Sequence, residues 1–255
     1  MPPLRDIDPD LKSRLLPDLL SAFALLSRLP LPDHKGTGAA SAWAWPVVGA
    51  MLGAVAAVVA TVALWLGLTP GVVAVLVLAA GALLTGGLHE DGLSDTADGL
   101  FGGWTRDRRL EIMKDSRVGS YGVLALVLVV LVRWSALATL LAAGEVWILV
   151  AVGTVSRAPM AVIMSALPNA RGSGLSHATG RPSGVAALAG VGIAAVLAMT
   201  LLGWAAIPVL AVVAVVSALL AREATRRIGG QTGDILGAAQ QLAEAAALAV
   251  LAARV

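Results

Sequence analysis

From Gly36 to Leu88 the chain runs for 53 residues without a charged side chain. Few folds accept such a block. A soluble domain carries about 25% charged residues, whereas this chain carries 13%, with 58% apolar residues and a mean hydropathy of +0.86. So few charges cannot cover a water-facing surface. A soluble enzyme, a disulfide-stapled secreted domain and a disordered chain are excluded together, which leaves an integral membrane protein. There is no cysteine, so thiolate chemistry and iron–sulfur clusters are excluded as well. Any metal must be held by oxygen or by His34, His89 and His177. The formal charge is +2, with no basic run of the kind that binds nucleic acid. The first 14 residues mix Asp with Lys and Arg, and no small-residue cleavage site follows an apolar core. No cleavable signal is expected.

About 20 apolar residues span a bilayer as a helix, so the 36–88 block predicts two spans. They are separated by the turn residues Gly67-Leu68-Thr69-Pro70-Gly71. Val118–Gly144 is a third span, interrupted by Arg133, and Val146–Leu167 a fourth, with Arg157 inside. Pro182–Ala221 has no charge and makes two more, turning near Gly203 to Pro208. Ile235–Ala253 is the seventh, with Glu244 in its middle. Residues 15–32 contain Pro17, Asp18 and Arg28, and read as an interfacial helix rather than a span. No sustained alternation supports barrel strands. The expected fold is therefore an all-α, polytopic membrane protein of about seven transmembrane helices. It forms one integral membrane domain over 1–255, with an N-terminal cytoplasmic or interfacial segment (1–35) and an acidic loop (86–119).

Lys and Arg alternate with the spans. Five lie before residue 41 (Arg5, Lys12, Arg14, Arg28 and Lys35) and five between spans two and three (Arg106, Arg108, Arg109, Lys114 and Arg117). Arg171 and Arg181 follow span four, and Arg222, Arg226 and Arg227 precede span seven. The three intervening turns have none, and Arg254 alone falls on the other side. This pattern predicts that the N-terminus and the long loops are cytoplasmic.

The acids crowd the same side. Of 16 Asp and Glu, seven fall between residues 89 and 117. Asp91, Asp95 and Asp98 stand at i, i+4 and i+7, which places them within an arc of roughly 60° on a helix. Three carboxylates on one face repel one another, and a hard divalent cation such as Mg²⁺ compensates them while bridging to phosphates. A solvated acidic cap is the plain alternative, and Gly92 and Gly99 argue against a long regular helix there. Lys114 and Arg117, just before span three, suit a phosphate or diphosphate, although positive-inside anchoring needs the same charges. Within the spans, Arg133 reads as a structural partner for Glu244 or a carbonyl, and Arg157, beside Pro159, as a ligand contact. Gln240 and Gln241 read as interhelical glue. His177, alone in a polar loop, reads as solvated.

Gly86 to Gly99 (GGLHEDGLSDTADG), followed by Glu111 to Gly119 (EIMKDSRVG), closely resembles cobalamin synthase, the adenosylcobinamide-GDP ribazoletransferase family. Arg28-Leu29-Pro30-Leu31-Pro32 and Gly229 to Ala238 look like the same family, and the resemblance covers most of the chain. It implies an enzyme of the bacterial cytoplasmic membrane that joins adenosylcobinamide-GDP to α-ribazole or its 5′-phosphate, with Mg²⁺ and release of GMP. On that reading Asp91, Asp95 and Asp98 hold Mg²⁺ on the diphosphate. Lys114 and Arg117 bind phosphate oxygens, helped by Arg157 and Arg171. Asp234 is a further ligand or the base, and His89 is the rival base. The number of metal ions and the choice between monomer and homo-oligomer stay open. A CDP-alcohol phosphotransferase ranks lower, because the arginine of its Asp-Gly-x-x-Ala-Arg element is missing at Asp91 to Thr96. A transporter ranks lower because the polar residues crowd one face of the membrane. A subunit whose acidic loop docks a partner is the third rival.

Overall fold

The computed structural model describes the backbone of residues 9–255 and the side chains of residues 14–255. Arg5 lies outside them, as does the side chain of Lys12. Among the described residues there is no strand, and the molecule is a bundle of α-helices.

The chain enters through α1 (Pro9–Leu26), longer at its start than the interfacial helix expected from residue 15 and ended six residues sooner. Asp18 fastens it, accepting from Trp43 Nε1 at 2.9 Å in the 3-10 turn Gly38–Ala44. The 36–88 block then forms α2 (Trp45–Trp65) and α3 (Pro70–Thr85), each with a proline at its start, where the missing N–H costs no bond. Past the acidic region come α6 (Ser120–Ala142), α7 (Ile148–Ala166), α9 (Gly184–Leu202), α10 (Ala206–Ile228) and α11 (Gly233–Ala252). Shorter helices lie on the polar side, α4 (Leu88–Gly102) and α5 (Arg106–Ile112) between α3 and α6, and α8 (Leu175–Thr179) between α7 and α9.

The stretch 86–119, expected as a loop, is mostly helical. Gly86 and Gly87 both adopt left-handed backbone (φ +69° and +70°), and the chain bends by 90° between α3 and α4. Once turned, α4 runs unbroken through Gly92 and Gly99, because neighbouring helices occupy the space a side chain would need. A Cβ at Gly92 would lie 2.9 Å from the Asp234 carbonyl oxygen, and one at Gly99 would strike Met113. Tertiary contact overrides the low helix propensity of glycine.

The expected seven spans are not confirmed. By length and composition five helical runs can cross a membrane, or six if the bent pair α3–α4 is one span. The difference has two causes. At 16 residues α3 is short on its own, and Gly184–Ile228 forms one run across the break at Gly203. The apolar helices still make the chain a membrane protein. Their outer faces carry bare aliphatic side chains such as Val72, Leu83, Leu124, Leu131, Val196 and Leu219, the surface that a helix presents to lipid. Trp65, Trp147 and Trp204 stand exposed at the three short turns, as interfacial tryptophans do.

At the centre is α7, buried at every residue from Ala151 to Ala161. It meets α2 at Gly49 and Gly153, where either glycine's Cβ would collide with the other's carbonyl oxygen. Small residues at such a crossing let two membrane helices approach closely. Gly153→Leu should therefore lower unfolding stability in detergent by at least about 3 kcal/mol, the upper end of ordinary overpacking. Gly192→Leu, where nothing lies within 4 Å of the added Cβ, should leave it unchanged or raise it.

Candidate active site

Two polar assemblies meet at α4. The first is buried among the spans. Arg133 of α6 donates to Gln241 Oε1 and to Glu244 Oε1, each at 2.6 Å, and lies 3.6 Å from Glu90. Gln241 donates onward to Glu90 at 2.9 Å, and Gln240 to Ser156 Oγ at 3.2 Å. Arg133 is thus the partner of Glu244 that the sequence suggested, and the glutamines do act as glue. Arg157 is buried in the same region and donates to the Gly153 carbonyl at 3.0 Å. It faces Glu90 and Glu244 rather than the acidic end of the bundle, so the structure does not place it where a phosphate would enter.

The second assembly opens on the polar side, in a cavity of about 250 Å³. Asp91, Asp234, Arg171 and Ser173 line it, over an apolar floor that includes Leu26, Trp45, Met160 and Met164. Three segments distant in sequence make this cavity. Gly92 of α4 packs against Gly237 of α11, with Gly237 Cα 3.1 Å from where a Cβ would sit, and the two helices bring Asp91 and Asp234 together. The loop carrying Arg171 is pinned by Ala170 N–H to Gln231 O at 2.8 Å and Gln231 N–H to Pro168 O at 2.9 Å. Arg171 then forms an ion pair with Asp234. Asp234 also accepts from Thr232, which caps the start of α11. His89 borders this cavity and the buried assembly alike, 2% exposed, with Nε2 unpartnered.

The three aspartates part company. Asp98 is buried and turned into the first turn of α6, accepting from Gly119 N–H at 2.7 Å and Gly122 N–H at 2.9 Å. It stabilises a helix N-terminus whose donors have no internal partners. Asp91 and Asp95 have no side-chain partner among the described residues. Asp95 feels the charges of Asp91, Asp234 and Asp98 against that of Arg171. Among the described residues no group of three or more His, Asp or Glu is disposed to hold a metal. The expected set of three carboxylates is therefore not gathered at one point. What remains is a pair, Asp91 and Asp95, without a side-chain partner of their own and near Asp234 and Arg171. Two carboxylates completed by substrate phosphates and water are an ordinary Mg²⁺ environment, so the residues present fit that ion.

Lys114 and Arg117 stand apart from this cavity, in an exposed groove with Arg108, Glu111 and Asp115. Arg117 pairs with Asp115 at 2.6 Å and holds that carboxyl down at about 2. Nearby, Arg106 donates to the Ile228 carbonyl at 3.0 Å and Arg109 to the Arg227 carbonyl at 3.2 Å. These basic residues cap the end of α10, where cations are favoured. His177 is exposed and does not line the cavity.

The cobalamin-5-phosphate synthase family model matches residues 18–252, which include every residue of this site. The chain belongs to that family. It is 46% identical over 249 residues to an adenosylcobinamide-GDP ribazoletransferase of Bradyrhizobium diazoefficiens, covering 94% of each chain. Identity is 42% to the enzyme of the same name from Mesorhizobium japonicum, over 93% of each chain. It is also 42% to that of Sinorhizobium medicae, over 92% of this chain and 95% of the relative. No solved structure matches the chain. For a member of the cobalamin-5-phosphate synthase family, the divided roles of the aspartates give a direct test. Asp98→Asn, which turns one acceptor into a donor facing an N–H, should destabilise the protein by about 1–2 kcal/mol. Asp91→Asn, which relieves an unpaired charge, should leave unfolding in detergent unchanged.

Proposed function

We propose that this protein is a membrane-bound adenosylcobinamide-GDP ribazoletransferase, carrying out the nucleotide-loop assembly step of cobalamin synthesis. The observation that carries this reading is the cavity that Asp91 lines together with Asp234 and Arg171, with Asp95 one turn further along α4 and within reach of their charges, in a chain of this family. A hydroxyl of α-ribazole or its 5′-phosphate attacks the cobinamide-bearing phosphorus of adenosylcobinamide-GDP. The bond to the bridging oxygen breaks and GMP leaves.

Such a transfer asks for positioning and charge neutralisation more than for covalent chemistry. Arg171 offers a planar fork for the phosphoryl oxygens. Asp91 and Asp95 are the residues that would hold Mg²⁺, which when bound neutralises charge on the diphosphate and on the departing GMP. Asp234 would take the proton of the attacking hydroxyl, and its contacts to Arg171 and Thr232, which orient the carboxylate, support that role. His89 touches the same cavity and is the rival base. On this reading the site lies at the surface of the bacterial cytoplasmic membrane, with the N-terminus and the long connections on the cytoplasmic side; the exposed aliphatic belt supports the membrane setting, and the alternation of Lys and Arg supports the orientation.

Purified protein in detergent, given adenosylcobinamide-GDP, α-ribazole 5′-phosphate and Mg²⁺, should release GMP and form the joined corrinoid, as followed by chromatography. EDTA should abolish the reaction and excess Mg²⁺ restore it. Asp91→Asn and Asp95→Asn should each lower kcat by about 10²–10³-fold, the usual loss when an electrostatic contact to a transition state is removed. A folded, monodisperse preparation that releases no GMP would sink the reading.

A further inference from the structure

Asp91 walls a second cavity as well. On the other side of α4's first turn is an open space of about 460 Å³, bordered by Arg28, Gly86, Gly87, Asp91 and Ser94. We propose that this cavity binds the acceptor through a phosphate group, with Arg28 as the residue that holds it. The proposal rests on the ribazoletransferase reading, and deepens it by separating the two substrates.

Arg28 is held in place without being used. It follows the end of α1, and its backbone N–H donates to the Leu84 carbonyl at 2.7 Å, which ties it to the end of α3. Its side chain lies over Gly86, where a Cβ would stand 2.5 Å from Nε. Glycine at this position is thus required twice, by the left-handed backbone and by the arginine. The Arg28 guanidinium makes no hydrogen bond or ion pair among the described residues, although Glu90 and Asp91 border the same cavity. A free guanidinium fork matches a phosphate monoester.

One further feature faces the same space. The first N–H groups of α4 have no carbonyl partner within the helix, and Asp91 N–H is the first to find one, Gly87 O at 2.9 Å. Ser94 is 2% exposed, lies in the cavity wall, and its hydroxyl has no partner. Its hydroxyl is turned toward Gly122 of α6 rather than into the cavity, so the phosphate contacts fall to Arg28 and the start of α4. Two substrates must approach one phosphorus from different directions. With the donor diphosphate at Arg171, the acceptor comes from the Arg28 side, its phosphate toward Arg28 and its hydroxyl past Asp91 toward Asp234, the base.

The test is the preference, in kcat/KM, for α-ribazole 5′-phosphate over α-ribazole, measured in detergent with adenosylcobinamide-GDP held constant. Arg28→Ala should cut that preference at least tenfold, through KM rather than kcat. Arg28→Lys should recover part of it, and Ser94→Ala, which removes a hydroxyl facing α6, should leave the preference unchanged. A preference that Arg28→Ala leaves unchanged overturns the proposal while the functional reading stands, as does a wild type that uses both acceptors equally. A loss that falls on the KM of adenosylcobinamide-GDP instead assigns Arg28 to the donor and also overturns it. Wild-type protein that turns over neither acceptor overturns the functional reading. Equilibrium binding of radiolabelled α-ribazole 5′-phosphate, with unlabelled α-ribazole and inorganic phosphate as competitors, then decides the site. Binding equal in wild type and Arg28→Ala refutes it.

Discussion

Arg133 sits in the middle of an apolar helix with its side chain buried, and a guanidinium in that setting must meet a carboxylate. Leaving such a charge unpaired costs several kcal/mol, roughly 3–5 when one partner of a buried pair is removed. The partners come from two other helices, Glu244 and Gln241 from α11 and Glu90 from α4. Arg157 of α7 joins them, so two arginines face two glutamates and the charges cancel. A pair of this kind contributes more to register than to net stability. Four helices can satisfy it in one alignment, and that alignment sets the height and rotation of α4.

The active side follows from α4. Its first turn carries Glu90 inward to the buried network and Asp91 outward to both open cavities. The left-handed Gly86–Gly87 pair lets a polar helix leave an apolar one at a right angle. Gly92 and Gly237 then bring α11 close enough for Asp234 to stand beside Asp91. Asp98 at the far end is anchored to α6 by two backbone N–H groups. One helix therefore carries acids for three tasks: charge pairing in the bundle, helix capping, and the candidate chemistry.

The sequence makes some of this legible and conceals the rest. A spacing of i, i+4, i+7 does put Asp91, Asp95 and Asp98 on one side of a helix, but it says nothing of what that side faces. The start of α6 takes Asp98, and no local pattern announces it. Gly92 and Gly99 read as helix breakers because their reason, the backbone of α11 and the side chain of Met113, lies elsewhere in the chain. Lys114 and Arg117 look like a phosphate clamp until Asp115 is seen to hold Arg117. Arg28 stands in the sequence only as part of the family-like Arg28–Pro32 segment, and a role for its side chain emerges from what fails to pair with it.

By itself the sequence determined the membrane class, the approximate positions of the apolar helices, the concentration of charge on one side, and the family. Each of these depends on composition or on short-range periodicity, which the chain states directly. The tertiary structure alone decided which charges meet. Pairing in a low-dielectric interior depends on distances between helices that lie far apart in the sequence. For that reason Arg171 rather than Arg117 faces Asp234, and Asp91 and Asp95 rather than all three aspartates are left without partners.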